Sequence, residues 1–219
     1  MSSFKPQKLY DDDKDLDFPD HLFQKKCVGS CNVKCMTIIL DLDETLIRTF
    51  DKGEKIPIPR HHPDYFSFHL RGHLYEGMKR PNLDFFLSKI YRIANKIIIF
   101  TAAKPDYAKK VVDIIFANMP YKPDHIFTYV DCETDPNYIK KPLDLVINRF
   151  PSEISRDRTI VLDDKQSVYF LKDIENIAQV TPFTGEINDS TLRRAYYNIK
   201  YLWRKEKSVV DLELEKLRL

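Results

Sequence analysis

Long apolar runs and a charge excess are both lacking in this chain of 219 residues. No stretch approaches the length of apolar residues that spans a membrane, and the polar start is unlike a secretory signal. The formal net charge is only +2, so no overall field favours nucleic acid or a membrane surface as a partner. The sequence has no internal repeat. We therefore predict an intracellular, soluble protein with one domain of ordinary size and no nucleic-acid or membrane partner, and we leave its oligomeric state open.

Cysteine is also scarce, with four residues in the whole chain. Cys27, Cys31 and Cys35 recur at every fourth position, and a zinc site is one interpretation of that spacing. Structural zinc sites, however, have shorter spacings and a fourth ligand close by. We therefore interpret these cysteines as reduced thiols that precede the first strand.

The two ends of the chain carry weaker signals. Residues 1–33 are predicted to form a tail, partly docked or disordered, with an acidic cluster over 11–15 that lacks apolar periodicity. We place the folded domain at residues 34–219 and expect a terminal helix from Val209.

A short apolar stretch, Met36–Leu40, is rich in β-branched residues and predicts a strand buried on both faces of a parallel sheet. Asp41 and Asp43 follow it and would project to the same side if the chain stays extended. Two acids at the end of a buried strand are costly unless a cation meets them. Ligands of open α/β sheets bind at the carboxyl ends of the strands. The sequence therefore predicts a cation-binding, phosphate-handling site at Asp41 and Asp43.

The remaining chain alternates predicted strands with helices, which is typical of an α/β fold with a parallel sheet. Residues 50–77 interrupt the alternation and predict a flap up to Pro63, then a small β-hairpin with a turn at Arg71-Gly72 that overhangs the site as a lid. The other predicted elements are strands at 96–100, 126–130, 159–162 and 177–180, helices beginning near Arg80, Pro105, Leu143 and Ser190, and a loop at 132–138.

Polar residues also follow two of the later strands. Thr101 comes after the second buried strand, and Asp163-Asp164 end the strand that begins at Thr159. Lys140 lies on the loop between them. Taken alone, each has an ordinary interpretation as a helix cap or a surface charge. Their conjunction at the ends of separate buried strands predicts a functional site.

These residues carry a resemblance to a known family. Asp-Leu-Asp-Glu-Thr at 41–45 resembles the D-x-D-x-T signature of haloacid dehalogenase-like phosphotransferases, and the chain is more specifically similar to the small phosphatases of the RNA polymerase II C-terminal domain. The similarity spans about Thr37 to Leu202. It includes further ordered motifs at 78–81, at 100–103 with Tyr107-Ala108, and at 137–140, 161–164 and 188–192.

The resemblance implies a fold, a reaction and a cofactor. The fold would be a Rossmann-like parallel sheet flanked by helices, and the activity a Mg²⁺-dependent phosphoprotein phosphatase. Asp41 would be the nucleophile that forms an aspartyl-phosphate, and Asp43 the general acid and base. Mg²⁺ would be held by Asp41, the backbone carbonyl of Asp43 and Asp163, with Asp164 as a second or water-mediated ligand.

Two further roles concern the transferring phosphoryl group. Thr101 would donate its hydroxyl and its backbone N–H to a phosphoryl oxygen. Lys140 would pair with Asp41 and with the phosphoryl group. Lys141 competes for this position, and Lys140 is chosen because its place after Asn137-Tyr138-Ile139 matches the family pattern.

Substrate recognition rests on the lid. In the family the hairpin forms an apolar pocket beside a phosphoserine, and Phe50, Phe68 and Leu70 would line it here. An equal alternative is that these side chains form the core of the hairpin itself. The chain departs from the family pattern at Lys165-Gln166, where small residues are usual, and this affects peptide specificity more than chemistry.

Three functions are compatible with the pattern. The first is a Mg²⁺-dependent protein serine/threonine phosphatase, whose partner would be a phosphoprotein such as the polymerase tail, in the nucleus if that is the substrate and otherwise in the cytoplasm. The second is the same reaction on a small phosphorylated metabolite. The third is a non-catalytic relative that binds protein segments. A modest lid favours a macromolecular substrate, and the full set of acids with a lysine disfavours the third.

Overall fold

The structure is a computed structural model that describes residues 36–205. The predicted tail over 1–33, the three spaced cysteines and the expected helix from Val209 lie outside the described residues. The strands and helices are, in chain order, β1 (Met36–Leu40), β2 (Ile47–Phe50), β3 (Tyr65–Leu70), β4 (His73–Lys79), α1 (Leu83–Ile90), β5 (Ala94–Phe100), α2 (Pro105–Ile115), β6 (His125–Phe127), β7 (Glu133–Asp135), β8 (Tyr138–Lys140), α3 (Leu143–Arg149), β9 (Thr159–Asp163), β10 (Ile177–Gln179) and α4 (Thr191–Lys205).

Five of these strands form one parallel sheet in the order β10-β9-β1-β5-β6. The predicted α/β class with a parallel sheet is therefore confirmed. The central strand β1 is buried throughout, as its apolar, β-branched sequence predicts. Ile38 and Leu40 pack on the side of the sheet covered by α1, α2 and α4, and Ile39 packs on the α3 side. Each fully buried side chain of this kind stabilises the fold by about 1.5–3 kcal/mol.

The insertion after β1 is a separate antiparallel sheet in the order β2-β4-β3. The predicted hairpin is confirmed, with Arg71 and Gly72 both at positive φ in the tight turn between β3 and β4. The boundary at residue 50 is wrong, because Ile47–Phe50 already pairs with β4 as a third strand. Periodicity alone did not indicate this strand, since only one of its four residues is buried.

After α2 the structure differs from the sequence-based prediction in two details. The third parallel strand ends at Phe127, and a 3₁₀ turn over Tyr129–Asp131 replaces the predicted end at Val130. The predicted loop at 132–138 contains β7, which pairs with β8 as a short hairpin. Lys140 ends this hairpin, and Lys141 follows it at the carboxyl edge of the main sheet. Within residues 36–205, no helix combines the length and apolar character needed to cross a membrane.

Candidate active site

The acids predicted from the strand ends come together at the carboxyl edge of the main sheet. Leu40 of β1 is in register with Leu162 of β9, so Asp41 and Asp163 leave neighbouring parallel strands at the same level. The carboxylates of Asp41, Asp163 and Asp164 offer oxygens that all lie within 4.8 Å of one another. All three residues are buried. Negative charge packed this closely away from water requires compensating cations.

The cation present among these acids is Lys141. Its Nζ donates to Asp41 Oδ1 at 2.6 Å and to Asp163 Oδ2 at 2.7 Å. Only 2% of Lys141 is exposed. The prediction that Lys140 pairs with Asp41 is wrong. The Lys140 ammonium instead donates to the carbonyls of Ser167 and Tyr169, at 2.7 and 3.0 Å.

Lys140 and Lys141 have different partners because they are adjacent residues of an extended segment. Lys140 is the last residue of β8, and successive side chains of a strand point to opposite sides. The Lys141 N–H also donates to the Val168 carbonyl at 2.7 Å, which fixes the segment beside the loop after β9. Of two adjacent lysines, therefore, only Lys141 can reach the acids.

Asp163 and Asp164 have different surroundings. Both oxygens of Asp163 accept hydrogen bonds, Oδ2 from Lys141 and from the Tyr169 hydroxyl, and Oδ1 from the Lys165 N–H. Asp164 Oδ1 accepts from the Thr45 hydroxyl at 3.1 Å, whose oxygen accepts from the Asp164 N–H. Asp164 Oδ2 is buried without a hydrogen-bond partner. An orphaned carboxylate oxygen beside two other acids is the donor type and setting that suit a hard divalent cation.

The electrostatics show the crowding of negative charge. Burial raises the pKa of Asp41 to about 8, with a further rise from Asp163, against the opposing attraction of the Lys141 ammonium. Burial and the neighbouring Asp163 also raise the pKa of Asp164. Conversely, Asp41 and Asp163 raise the pKa of Lys141 despite its burial, so this lysine is charged at neutral pH. One ammonium thus pairs with Asp41 and Asp163, and Asp164 lies beside them without that contact.

Asp43 lies outside the group of three acids. Its Oδ1 accepts a hydrogen bond of 2.5 Å from the hydroxyl of Tyr107 on α2. Burial raises the pKa of Asp43, and the Tyr107 hydrogen bond acts in the opposite direction. A carboxyl group whose pKa lies closer to neutrality is better suited to give and take a proton.

Thr101 follows β5, the other neighbour of β1, and is buried. Its hydroxyl oxygen accepts from the Ala103 N–H at 3.1 Å, which leaves the hydroxyl proton available to donate. The expectation that its backbone N–H faces a phosphoryl group is wrong. That N–H donates to the Phe127 carbonyl at 3.0 Å, continuing the ladder between β5 and β6.

Comparisons with known proteins bear on this geometry. The family model of the NLI interacting factor-like phosphatases matches residues 36–210. The chain belongs to this family. The predicted resemblance to haloacid dehalogenase-like phosphatases of the polymerase C-terminal domain is thereby confirmed.

Named relatives agree with this membership. Nuclear envelope morphology protein 1 of Saccharomyces cerevisiae is 30% identical over 186 residues, which cover 80% of this chain and 40% of that protein. The protein of the same name from Schizosaccharomyces pombe is 33% identical over 87 residues, 36% of this chain and 16% of that protein. The chain therefore spans less than half the length of these curated relatives.

Solved structures agree on the fold. The fission yeast RNA polymerase II CTD phosphatase Fcp1 bound to beryllium fluoride matches with a TM-score of 0.54 at 23% identity, covering 84% of this chain and 54% of that one. A second structure of Fcp1, an essential RNA polymerase II CTD phosphatase, matches with a TM-score of 0.54 at 22% identity, covering 84% and 52%. At these identities the likeness concerns the fold alone.

Arg80 explains two of the family motifs in physical terms. This fully buried arginine donates to the Thr45 carbonyl at 3.1 Å, to the Thr181 carbonyl at 2.9 Å and to Asp189 Oδ2 at 2.7 Å. It therefore ties the segment after Asp41 to the segment that precedes α4. Because the Thr45 hydroxyl holds Asp164, Arg80 supports the acids indirectly.

The residues predicted to line one substrate pocket lie in different surroundings in this NLI interacting factor-like phosphatase. Phe68 stacks on Tyr75 with ring centroids 5.1 Å apart and packs against the main core. Phe50 packs in a separate cluster with Ile58 and Phe183. Leu70 pairs with His73 beside the hairpin turn. The structure favours the alternative in which Phe68 belongs to the core of the insertion, and a role in substrate binding stays a prediction.

Two tyrosines of the site were not assigned roles from the sequence. In the sequence Tyr107 belongs to a family motif without an assigned role, and the sequence pattern does not single out Tyr169. Both donate to site carboxylates, Tyr107 to Asp43 and Tyr169 to Asp163 at 2.9 Å. A tyrosine among apolar residues is typical of core packing and gives no indication of a site role. The one sequence signal is position: Tyr107 lies in the first turn of the helix after β5, and Tyr169 lies on the loop after β9.

Proposed function

We propose that this chain is a Mg²⁺-dependent phosphoprotein phosphatase that acts on phosphoserine or phosphothreonine through an aspartyl-phosphate. The observation that carries this proposal is the buried group of Asp41, Asp163 and Asp164 around the Lys141 ammonium, with Asp43 two residues beyond Asp41. Membership of a phosphatase family supports the same reaction class.

The reaction divides into two transfers. In the first, an Asp41 carboxylate oxygen bonds to phosphorus, the bond from phosphorus to the serine or threonine oxygen breaks, and Asp43 protonates that oxygen. In the second, Asp43 accepts a proton from water while the water oxygen bonds to phosphorus. The acyl-phosphate bond then breaks, releasing inorganic phosphate and the Asp41 carboxylate. Lys141 stabilises the negative charge on the phosphoryl oxygens, and the Thr101 hydroxyl donates to one of them.

The residues fit a magnesium ion. Asp41 and Asp164 would supply carboxylate oxygens, together with the backbone carbonyl of Asp43, while Asp163 would orient Lys141. This exchanges the predicted roles of Asp163 and Asp164, because Asp164 has the oxygen without a partner. When bound, the ion supplies positive charge that lowers the repulsion between the carboxylate and a phosphate dianion.

The proposed substrate class follows from the size of the lid and from the names of similar proteins. A three-stranded insertion, β2-β4-β3, is the extent of the lid within the described residues, which favours a phosphorylated protein over a metabolite. The names of the solved neighbours make polymerase-tail phosphopeptides one candidate, and the names of the curated relatives suggest a nuclear association. We propose an intracellular protein, in the nucleus if the tail is its substrate.

The proposal is tested by phosphate release from a phosphoserine peptide with Mg²⁺ and with excess chelator. We expect turnover only with Mg²⁺, loss of turnover in Asp41→Asn, and binding of BeF₃⁻ to the wild-type protein as a mimic of phosphorylated Asp41. Asp113→Asn is the control, since Asp113 is an exposed α2 residue paired with Lys109. Activity that persists in chelator or in Asp41→Asn would contradict the mechanism. A panel that compares each phosphoserine of the polymerase tail repeat with unrelated phosphopeptides would then define the substrate.

A further inference from the structure

Asp43, the proposed general acid, accepts a hydrogen bond from a side chain of another element. Tyr107 lies in the first turn of α2, and its hydroxyl donates to Asp43 Oδ1 at 2.5 Å. Thr49 Oγ1 lies 3.4 Å from the same hydroxyl oxygen. Within residues 36–205, Tyr107 is the one side chain that hydrogen-bonds to the Asp43 carboxylate. Its hydrogen bond occupies Oδ1, so the proton transfer of the proposed reaction falls to Oδ2.

The ring of Tyr107 is itself held by the insertion. Its centroid lies 5.9 Å from that of Phe68 on β3 and 5.5 Å from that of Tyr75 on β4. Phe68 and Tyr75 are stacked nearly parallel, with an interplanar angle of 8°. Tilted and edge-on arrangements of this kind are favourable for pairs of aromatic rings. The lid sheet therefore fixes the orientation of Tyr107.

A second contact ties the same lid to the same helix. Arg71, in the turn between β3 and β4, forms an ion pair with Asp106, with 2.6 Å between Nε and Oδ2. Asp106 precedes Tyr107 in the first turn of α2. The hairpin thus contacts α2 both through the aromatic rings, at Tyr107, and through an ion pair, at the residue before it.

We propose that Tyr107 is a positioning residue for the reaction. It holds the Asp43 carboxyl in the orientation that meets the leaving oxygen, and Phe68 and Tyr75 of the lid hold Tyr107. This inference rests on the proposed function, since it assigns Tyr107 a part in the proton transfer of the first step.

The chemistry of the leaving group separates this role from simple packing. A serine alkoxide is strongly basic and needs a proton as its bond to phosphorus breaks, whereas the p-nitrophenolate ion leaves without one. General acid catalysis contributes about 10²–10⁴-fold, and misplacement of a catalytic group by about 1 Å costs about 10²-fold. We expect Tyr107→Phe to lower the single-turnover rate of aspartyl-phosphate formation from a phosphoserine peptide by about 10–100-fold, and to change the rate of this first step on p-nitrophenyl phosphate by less than about 3-fold. The first step is measured because the second step, in which Asp43 accepts a proton from water, is common to both substrates.

The chain offers a matched control in the same lid. The Tyr65 hydroxyl also donates to a carboxylate at 2.5 Å, that of Glu76, which is not one of the site acids. Tyr65→Phe removes the same kind of hydrogen bond and should leave the ratio of the two rates unchanged. Asp43→Asn should show the leaving-group dependence of Tyr107→Phe in a stronger form.

Two results would overturn the inference. If Tyr107→Phe slows aspartyl-phosphate formation equally from both substrates, its role is structural, and if it slows this step on neither, Asp43 is positioned without it. Failure of the proposed function is a different result, in which wild-type protein turns over neither substrate. In that case the positioning role is tested by the ¹³C chemical shift of the Asp43 carboxyl group. Tyr107→Phe should change this chemical shift, and Tyr65→Phe should not. An unchanged chemical shift in Tyr107→Phe would refute the positioning role.

Discussion

Lys141→Met and Lys140→Met make a matched pair of changes in adjacent residues. Methionine keeps most of the length and apolar volume of lysine and removes the charge. Lys141 loses two short contacts, to Asp41 at 2.6 Å and to Asp163 at 2.7 Å. Lys140 loses two hydrogen bonds to backbone carbonyls on the loop after β9. The two variants therefore remove the same number of contacts but different partners.

Lys141→Met should cost more stability and more activity than Lys140→Met, because Lys141 is buried and its partners are charged. Removing one partner of a buried ion pair costs about 3–5 kcal/mol, and Lys141→Met leaves the acids without their ammonium. In the reaction, loss of one preorganised positive donor lowers kcat by about 10²–10³-fold. For Lys140→Met we expect about 1–3 kcal/mol of stability to be lost from two hydrogen bonds to neutral carbonyls. Its kcat should stay within about 3-fold of wild type, since it contacts no acid of the site.

The assay is steady-state hydrolysis of p-nitrophenyl phosphate with Mg²⁺, together with urea unfolding of each variant. Activity is measured at a temperature where both variants are folded by circular dichroism, so that loss of stability is not counted as loss of catalysis. Equal activities of the two variants, or a larger loss in Lys140→Met, would refute the placement of Lys141 as the phosphoryl-stabilising cation.

Two further predictions concern the acids. Asp164→Ala should raise the Mg²⁺ concentration needed for half-maximal activity by at least about 10-fold, because its unpartnered oxygen is lost; a magnesium titration checks this, and an unchanged midpoint would exclude Asp164 as a ligand. In chelator, the free energy of unfolding should fall between about pH 4 and pH 8 by up to about 1.4 kcal/mol per unit. The reason is that folded Asp41, with its pKa raised from 3.8 to about 8, keeps a proton that the unfolded chain releases. Urea titrations across this range should show the slope, and Mg²⁺ should reduce it.

The parts of the site that could be predicted from sequence are those set by local pattern. An apolar strand buried on both faces is recognisable in Met36–Leu40 and in Thr159–Asp163, and parallel strands end at the same edge of a sheet. These two facts place Asp41 and Asp163 at the same edge of the sheet, and the adjacency of β1 and β9 in the strand order brings them together. The same reasoning placed the hairpin, because Arg71-Gly72 can adopt the positive φ values of a tight turn.

The parts that could not be predicted depend on tertiary register. Lys140 and Lys141 are chemically identical, and only the pairing of β7 with β8 decides which ammonium faces the acids. Likewise, nothing local distinguishes Tyr107, which contacts Asp43, from Tyr65, which contacts Glu76. Both tyrosines lie in partly apolar segments, and the identity of the carboxylate each meets is settled by packing between elements.

The charge balance of the site links its buried acids to the proposed divalent cation. Asp41, Asp163 and Asp164 are buried around one ammonium, so at full ionisation the group carries a net charge of −2. A phosphate dianion brought to this group would meet net repulsion, which Lys141 alone cannot reverse at low dielectric. A single divalent cation would offset this charge and would favour the ionised form of Asp41. Burial is the main cause of the raised pKa of Asp41, and the neighbouring Asp163 adds to it. A variant that removes the Asp163 carboxylate should therefore lower the pKa of Asp41 and reduce the charge that the proposed magnesium ion would offset.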